Sequence, residues 1–162
     1  MKILFIQTGG SIDKDYPKEK RYSFDISEPA AKRILSRVDI NFEFEIKSVL
    51  KKDSLDMTEA DREKIYNACV KAKEDKIIIT HGTDTIIQTA KKLKSIKNKV
   101  IVLTGAVKPE VFSGSDADFN LGMAVGAVNV LKKGIYIAIS GRVYSPDKIK
   151  HISSKGEFAE IR

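Results

Sequence analysis

Two apolar runs, 3–6 and 77–79, each break off into a short segment of glycines and polar side chains. The first is Thr8-Gly9-Gly10-Ser11 and the second Thr80-His81-Gly82-Thr83-Asp84. A run of branched apolar residues without polar alternation fits a strand covered on both faces, as in a parallel sheet packed between helices. Such sheets build pockets beyond the carboxyl ends of their strands, where the chain leaves for the next helix. A turn that merely reverses the chain needs glycine, but it has no need of two hydroxyls, an imidazole and a carboxylate side by side. The second segment therefore points to chemistry more strongly than the first.

Similar runs at 42–49, 99–104 and 134–140 join 2–7 and 76–80 to make five predicted strands. The strand at 42–49 differs, because Phe42, Phe44 and Ile46 alternate with Glu43, Glu45 and Lys47; this predicts a half-exposed strand at a sheet edge or subunit rim. Between the strands lie helical patterns. Ser27 is expected to cap a helix running to Arg37, with Glu28 and Pro29 in its first turn, and Thr58 with Asp61 spells a capping box for a helix through Ala72. Further helices are expected from Asp84 through Leu93 and from Phe119 to Leu131. Regular alternation of strand and helix predicts an α/β fold, a three-layer α/β/α sandwich around a mostly parallel sheet with right-handed crossovers. The stretch 145–162 reads as a turn, a short helical piece and a tail.

The 162 residues suffice for one domain with a real core, 1–162, and leave no comfortable room for a second. Any covering domain is expected from another chain, so a homodimer or higher homo-oligomer is the expected assembly. Apolar residues make up 42% and charged residues 31%, and four prolines without a low-complexity tract argue against long disorder. The net charge of +7 comes from scattered lysines, densest over 91–99. A nucleic-acid partner would call for a focused basic stripe with stacking groups, whereas the aromatic residues here read as lying mostly within apolar strands, so no such partner is expected. No apolar run is long enough to cross a membrane, and Met1 to Gln7 flows into Thr8-Gly9-Gly10 without a cleavage site, as a first strand does. Cys69 is the single cysteine, which suits a reducing, cytoplasmic setting. His81 and His151 show no metal-ligand spacing, so no metal is expected. Thr8 and Asp13 stand where a dinucleotide fingerprint centred on Gly10 would need glycine, so no nucleotide cofactor is expected either.

Hydroxyls follow three of the strands: Ser11 after the first, Ser54 beside Asp53 after the second, and Thr83 after the third. Gly10 and Gly82 allow backbone to approach a ligand closely. Asp84, at the predicted start of a helix, either caps that helix, holds an ammonium group or polarises a base. Thr83 is either satisfied locally, positions a water, or acts as nucleophile. A hydroxyl is inert near neutral pH until a base takes its proton, which requires a lysine or histidine nearby. His81 reads as a packed, orienting residue. Thr104-Gly105-Ala106 and the polar stretch 113–118 face the same edge, with Asp116 or Asp118 read as a helix cap. Together these residues describe a small polar cleft for an amino acid or another zwitterion.

In Thr8-Gly9-Gly10-Ser11-Ile12, Asp53-Ser54-Leu55-Asp56-Met57, Thr80 to Thr85, Thr104-Gly105-Ala106 and Asp118-Phe119-Asn120-Leu121, the chain resembles the amino-terminal domain of the bacterial-type asparaginase and glutaminase family. The resemblance extends over essentially every position. It implies hydrolysis of a small amino-acid amide to the acid and ammonia, through a covalent acyl intermediate on a hydroxyl. It also implies that Ser11 stands at the first-loop nucleophile, normally threonine, and that Tyr22 or Tyr16 is the tyrosine of a mobile loop. By the same resemblance Ser54, next to Asp53, grips the substrate carboxylate, and Thr83 and Asp84 are the second threonine and the aspartate that binds the substrate amino group. Ala106 contacts the amide through its backbone. Ser11 keeps the hydroxyl but lacks the methyl group that restricts its rotamer. An ungapped match through Tyr144 to Ile149 puts His151 where the family has lysine, with Lys150 one residue before it. A neutral imidazole can take a proton from Thr83, yet it lacks the permanent charge of lysine. The family's carboxyl-terminal domain, which closes the site from a neighbouring subunit, has no counterpart in 1–162. The cleft is therefore expected to be open and wet, which weakens electrostatic stabilisation of a tetrahedral intermediate. Two readings follow: an amidohydrolase, or a small-ligand-binding module of the same fold with altered or no activity.

Overall fold

Nearly unbroken apolar strands form the centre of the computed structural model, which describes residues 1–161. In chain order the elements are β1 (Lys2–Gly9), β2 (Lys14–Asp15), β3 (Asp25–Ile26), α1 (Ala30–Leu35), β4 (Glu43–Lys52), α2 (Glu59–Lys71), β5 (Lys76–Thr80), α3 (Ile86–Lys92), β6 (Val100–Thr104), α4 (Ala117–Val130), β7 (Gly134–Ile139), β8 (Arg142–Tyr144), β9 (Ile149–Ile152) and β10 (Glu157–Glu160). The main sheet runs β4-β1-β5-β6-β7-β8; its first five strands are parallel and β8 is antiparallel to β7. This is the predicted three-layer sandwich.

Alternate residues of each central strand feed opposite faces, as the two-residue period of a strand requires. On one face Leu4, Ile6, Ile77, Ile79, Ile101 and Leu103 pack with Ile65 and Cys69 of α2 and Ile86 and Ala90 of α3. On the other, Ile3, Phe5, Ile78 and Val102 meet Ile34 and Leu35 of α1 and Leu121, Ala124 and Val128 of α4. Each of the larger aliphatic and aromatic side chains contributes roughly 1.5–3 kcal/mol by leaving water. This two-sided core fixes the register that lines up the carboxyl ends of β1, β5 and β6. The strand predicted at 42–49 is β4, an edge strand, with Phe44 exposed and set edge-on to Phe5 at 6.2 Å.

The capping box of α2 forms as expected: Thr58 Oγ1 accepts from the Asp61 N–H at 3.2 Å, and Asp61 accepts from the Thr58 N–H at 3.0 Å. The Lys52 ammonium and Thr58 hold the Asp61 carboxyl down at about 2.

Three expectations are corrected. Ser27 caps nothing, and α1 begins only at Ala30, because the buried Asp13 carboxylate accepts from the Ala30 N–H at 2.7 Å from seventeen residues away. Asp116 does not cap α4 through its side chain; it accepts from the N–H groups of Val107 and Lys108 and pins the loop after β6. The short helical piece expected in 145–162 is instead the β9–β10 hairpin. Gly156, at φ +63, lies in its connection. The hairpin is decided by packing, since Ile149 and Phe158 seal the main core.

The aromatic residues are also less confined to strands than the sequence pattern suggests. Tyr16, Phe24 and Phe112 form an exposed cluster of loop residues, with ring separations of 5.0 and 5.9 Å. No helix among the described residues is long and apolar enough to cross a membrane.

Candidate functional site

The loops after β1, β4, β5 and β6 touch one another backbone to backbone, and glycine makes this possible. Gly10, at φ +84, abuts Gly82 so closely that a methyl group on it would lie 2.3 Å from the Gly82 nitrogen. A methyl group on Gly82 would lie 2.6 Å from Ser54 Oγ, and one on Gly105 2.3 Å from the His81 carbonyl oxygen. Ser11 and Thr83 each follow one of a pair of touching glycines, so the structure brings their two loops together. Gly10, Ser11, Ser54, Gly82, Thr83 and Asp84 thus belong to one cluster at the carboxyl edge of the sheet.

Hydrogen bonds hold this cluster from below. Gly10 N–H donates to the Lys52 carbonyl at 3.0 Å, Thr8 Oγ1 to the Thr80 carbonyl at 2.7 Å, and His81 N–H to the Thr104 carbonyl at 2.9 Å. His81 Nδ1 lies 2.8 Å from the Gly82 carbonyl and Nε2 2.8 Å from Thr89 Oγ1. A carbonyl only accepts, so Nδ1 carries the proton and Nε2 accepts from the Thr89 hydroxyl. Full burial drives the His81 pKa down to about 4, leaving a neutral ring that locks the loop to α3. His81 is the packed, orienting residue expected. Asn120 adds a strut, donating from Nδ2 to the Gly105 carbonyl at 2.9 Å and accepting at Oδ1 from the Ser140 N–H at 3.0 Å.

The groups at the surface of the cluster differ in how far they are engaged. Ser11 and Thr83 are half-buried and Asp84 is exposed; among the described residues none of the three side chains makes a hydrogen bond. Asp84 does not cap α3, which is preceded by a tight turn over Thr83–Thr85. Ser54 is fully buried, its Oγ accepting from the Thr85 N–H at 3.4 Å while Thr85 Oγ1 donates to the Ser54 carbonyl at 2.8 Å. The Asp53 carboxylate is already taken, by Lys14 Nζ at 3.1 Å and the Leu55 N–H at 3.2 Å. Burial pushes its pKa up, but Lys14 and these amides outweigh it and hold the group below the usual carboxylate range. Ala106 is buried directly after Gly105.

Strand alternation separates the two candidates for the family's lysine position. Ile149 is in the core, so His151, two residues on, lies on the same face of β9, while Lys150 lies exposed on the opposite one. His151 lines an open cleft of about 470 Å³ together with Leu55, Asp84, Ile87, Gln88 and Lys91. Its ring stacks on Phe158 at 4.7 Å, and among the described residues it hydrogen-bonds neither to Thr83 nor to Asp84. Tyr22 is exposed at φ +57, and its side chain makes no hydrogen bond or ring contact among the described residues; Tyr16 stacks on Phe24. Neither tyrosine is tied to Ser11 or Thr83.

One buried group was missed by sequence reasoning. Asp13, two residues after Ser11, is fully buried, with its second oxygen 3.3 Å from the donating Thr80 Oγ1. It joins the first loop, β5 and α1. Desolvation raises its pKa to about 6 against the opposing effect of the Ala30 amide, Gln7, Thr80 and Arg33. An aspartate after a strand and a turn carries no signal of burial, so only the fold reveals it.

The family model for the amino-terminal region of asparaginase matches residues 2–159. The L-asparaginase of Thermococcus kodakarensis is 33% identical over 165 residues, covering 96% of this chain and 49% of that protein. The glutaminase-asparaginase of Pseudomonas fluorescens biotype A is 34% identical over 89 residues, 51% of this chain and 25% of that protein. Among solved structures, the thermostable L-asparaginase from Thermococcus kodakarensis superimposes with a TM-score of 0.88 at 27% identity, covering 99% of this chain and 51% of the other. The chain thus spans about half the length of its full-length relative. A sandwich of this topology, with paired glycine loops at the carboxyl edge of its sheet and a match along nearly its whole length, belongs to the asparaginase amino-terminal domain family.

Proposed function

We propose that this protein is an amidohydrolase that releases ammonia from a small, asparagine-like amino-acid amide. The observation that carries this reading is the Gly10–Gly82 contact, which holds the unengaged Ser11 and Thr83 hydroxyls on adjoining loops beside a free Asp84 carboxylate. In this reading a hydroxyl oxygen, of Ser11 or of Thr83, attacks the amide carbon. Its proton passes to His151 and on to the departing nitrogen, and ammonia leaves. Water then attacks the ester carbon, returning a proton to the hydroxyl and freeing the acid. Asp84 pairs with the substrate ammonium. A homodimer or higher assembly is part of the same reading, supported by the exposed Phe44 on the edge strand β4.

The stacking of His151 on Phe158, away from hydrogen-bond contact with Thr83, favours a second reading, a ligand-binding module without turnover. One experiment separates the two. Ammonia release is measured against asparagine, glutamine and related small amides, for wild type and the Ser11→Ala, Thr83→Ala and His151→Ala variants, with folding checked by circular dichroism. Hydrolysis predicts that the nucleophile variant loses nearly all turnover with its fold intact, and that His151→Ala lowers the rate and alters the pH profile. Silence across the amide panel, with calorimetric binding of an amino acid, overturns hydrolysis in favour of the binding module.

A further inference from the structure

The main sheet ends on two edges that differ in kind. One is β8, of three residues, where Arg142 pairs with Glu160 at 3.1 Å. The other is β4, of ten residues, which is bonded to β1 along one side only. The Glu43 N–H donates to the Met1 carbonyl at 3.0 Å, so the alternation of a strand turns the backbone groups of Glu45 and Lys47 towards β1 as well. Those of Phe44, Ile46 and Ser48 point outward, and among the described residues no protein group meets them. The register with β1 is regular from Glu43 to Ser48 and then shifts, with Gln7 opposite Ser48 but Gly9 opposite Lys52. An open, regular edge of this kind is a template for another strand.

Charges commonly guard such an edge against pairing, but those of β4 change sign along it, so they repel in some registers and attract in another. When two copies of one strand pair antiparallel about a two-fold axis, the residue on the axis faces itself. An axis at Glu45 or at Lys47 sets like charges directly opposite, and one at Phe44 sets Glu43 against Glu45. An axis at Ser48 draws in the stretch beyond it, where the register shifts. An axis at Ile46 sets Glu45 of each copy against Lys47 of the other. It also matches Ile46 with itself and Phe44 with Ser48, the residues whose backbone groups point outward, so each of those pairs exchanges two N–H···O=C bonds. Glu45 and Lys47 then fall at the positions between, where facing side chains come closest. Lys47 makes no ion pair among the described residues, and Glu45 has only a surface pair with Lys2 at 2.8 Å. On the other face Phe44, Ile46 and Ser48 line an open cleft of about 490 Å³ with Glu28, Pro29 and Lys32, so no helix of the same chain covers them fully.

We propose that two copies of this chain join edge to edge through β4, antiparallel over residues 44–48 about an axis at Ile46, so that their two sheets become one. The partner is a second copy because, within the regular stretch, this register is complementary to itself in charge, in backbone hydrogen bonding and in its apolar side chains. The proposal names the interface of the homodimer that forms part of the amidohydrolase reading, and it rests on that assembly. The shift after Ser48 ends the pairing and keeps the edge from taking up a longer strand.

Sedimentation equilibrium at tens of micromolar tests this on wild type, on Glu45→Lys, on Lys47→Glu and on an equimolar mixture of the two variants, with folding checked by circular dichroism. Wild type is expected to approach twice the 18.0 kDa of one chain. Either substitution alone sets like charges opposite at both contacts and is expected to weaken dimerisation about ten-fold or more. In the mixture every facing pair is again opposite in charge, and dimers of one variant with the other are expected to re-form. Hydrogen exchange on wild type needs no substitution: protection of the Phe44, Ile46 and Ser48 amides is expected to rise with protein concentration. Variants that dimerise like wild type, a mixture that stays monomeric, or amides without such protection overturn the β4 interface and leave the homodimer to another surface. A wild type that stays monomeric removes the interface and the assembly together, while ammonia release from the amide panel decides the amidohydrolase reading separately.

Discussion

Replacing Asp13 with asparagine is expected to stabilise the protein at neutral and alkaline pH. The carboxyl is fully buried, and desolvation raises its pKa from 3.8 to about 6 despite the Ala30 N–H at 2.7 Å and the Thr80 hydroxyl at 3.3 Å. Because the folded state holds this proton more tightly than the unfolded chain, the group favours folding fully below 3.8, and that contribution is lost as pH rises through about 6. A shift of about two units at 1.36 kcal/mol each amounts to about 3 kcal/mol above pH 7. Asparagine has the same shape and no charge. Its carbonyl can accept from Ala30, and its NH2 group can donate to Thr80 Oγ1, whose hydroxyl rotates. Urea unfolding of wild type and Asp13→Asn between pH 4 and 8 reads the difference directly, since carboxylates elsewhere affect both proteins alike. The variant is expected to gain up to about 3 kcal/mol on wild type between the two ends, with the midpoint of the gain below pH 6. A stability difference that stays flat over this range, or that turns against asparagine as pH rises, refutes the reasoning.

Other perturbations have equally direct readouts. Gly10→Ala must place its methyl group 2.3 Å from the Gly82 nitrogen at φ +84, and is expected to cost at least about 2 kcal/mol in thermal unfolding; Gly122→Ala, with open space around it, is expected to be neutral or to stabilise by up to about 1 kcal/mol. Equal effects at the two positions would contradict the close loop contact. Cys69, buried and raised to about 12, is expected to resist iodoacetamide in the native protein at pH 8 and to react on unfolding, followed by mass spectrometry.

The layered architecture was legible because it depends on local signals. Continuous apolar runs such as Ile77 to Ile79 can be satisfied only between two covering layers, and the Thr58–Asp61 box marks a helix start by short-range hydrogen bonds alone. The hairpin at Ile149 to Glu160 was not legible, because its four-residue strands are too short for a period to stand out and owe their conformation to Ile149 and Phe158 entering the core. The start of α1 was misread for a similar reason, its first free N–H being satisfied by Asp13 from a distant loop.

At the candidate site the sequence by itself determined the chemical types: glycines where backbones meet, hydroxyls after three strands, and a carboxylate in the turn before α3. Tertiary structure decided which of them are free to act. Ser54 and Asp53 carry suitable groups, yet burial and Lys14 engage them, while Ser11, Thr83 and Asp84 make no hydrogen bond through their side chains among the described residues. It also put His151 rather than Lys150 on the face of β9 that lines the cleft beside Asp84. The division follows from range. Residue types and short spacings are local properties of the chain, whereas burial, ionisation and facing depend on neighbours that only the folded sheet brings together.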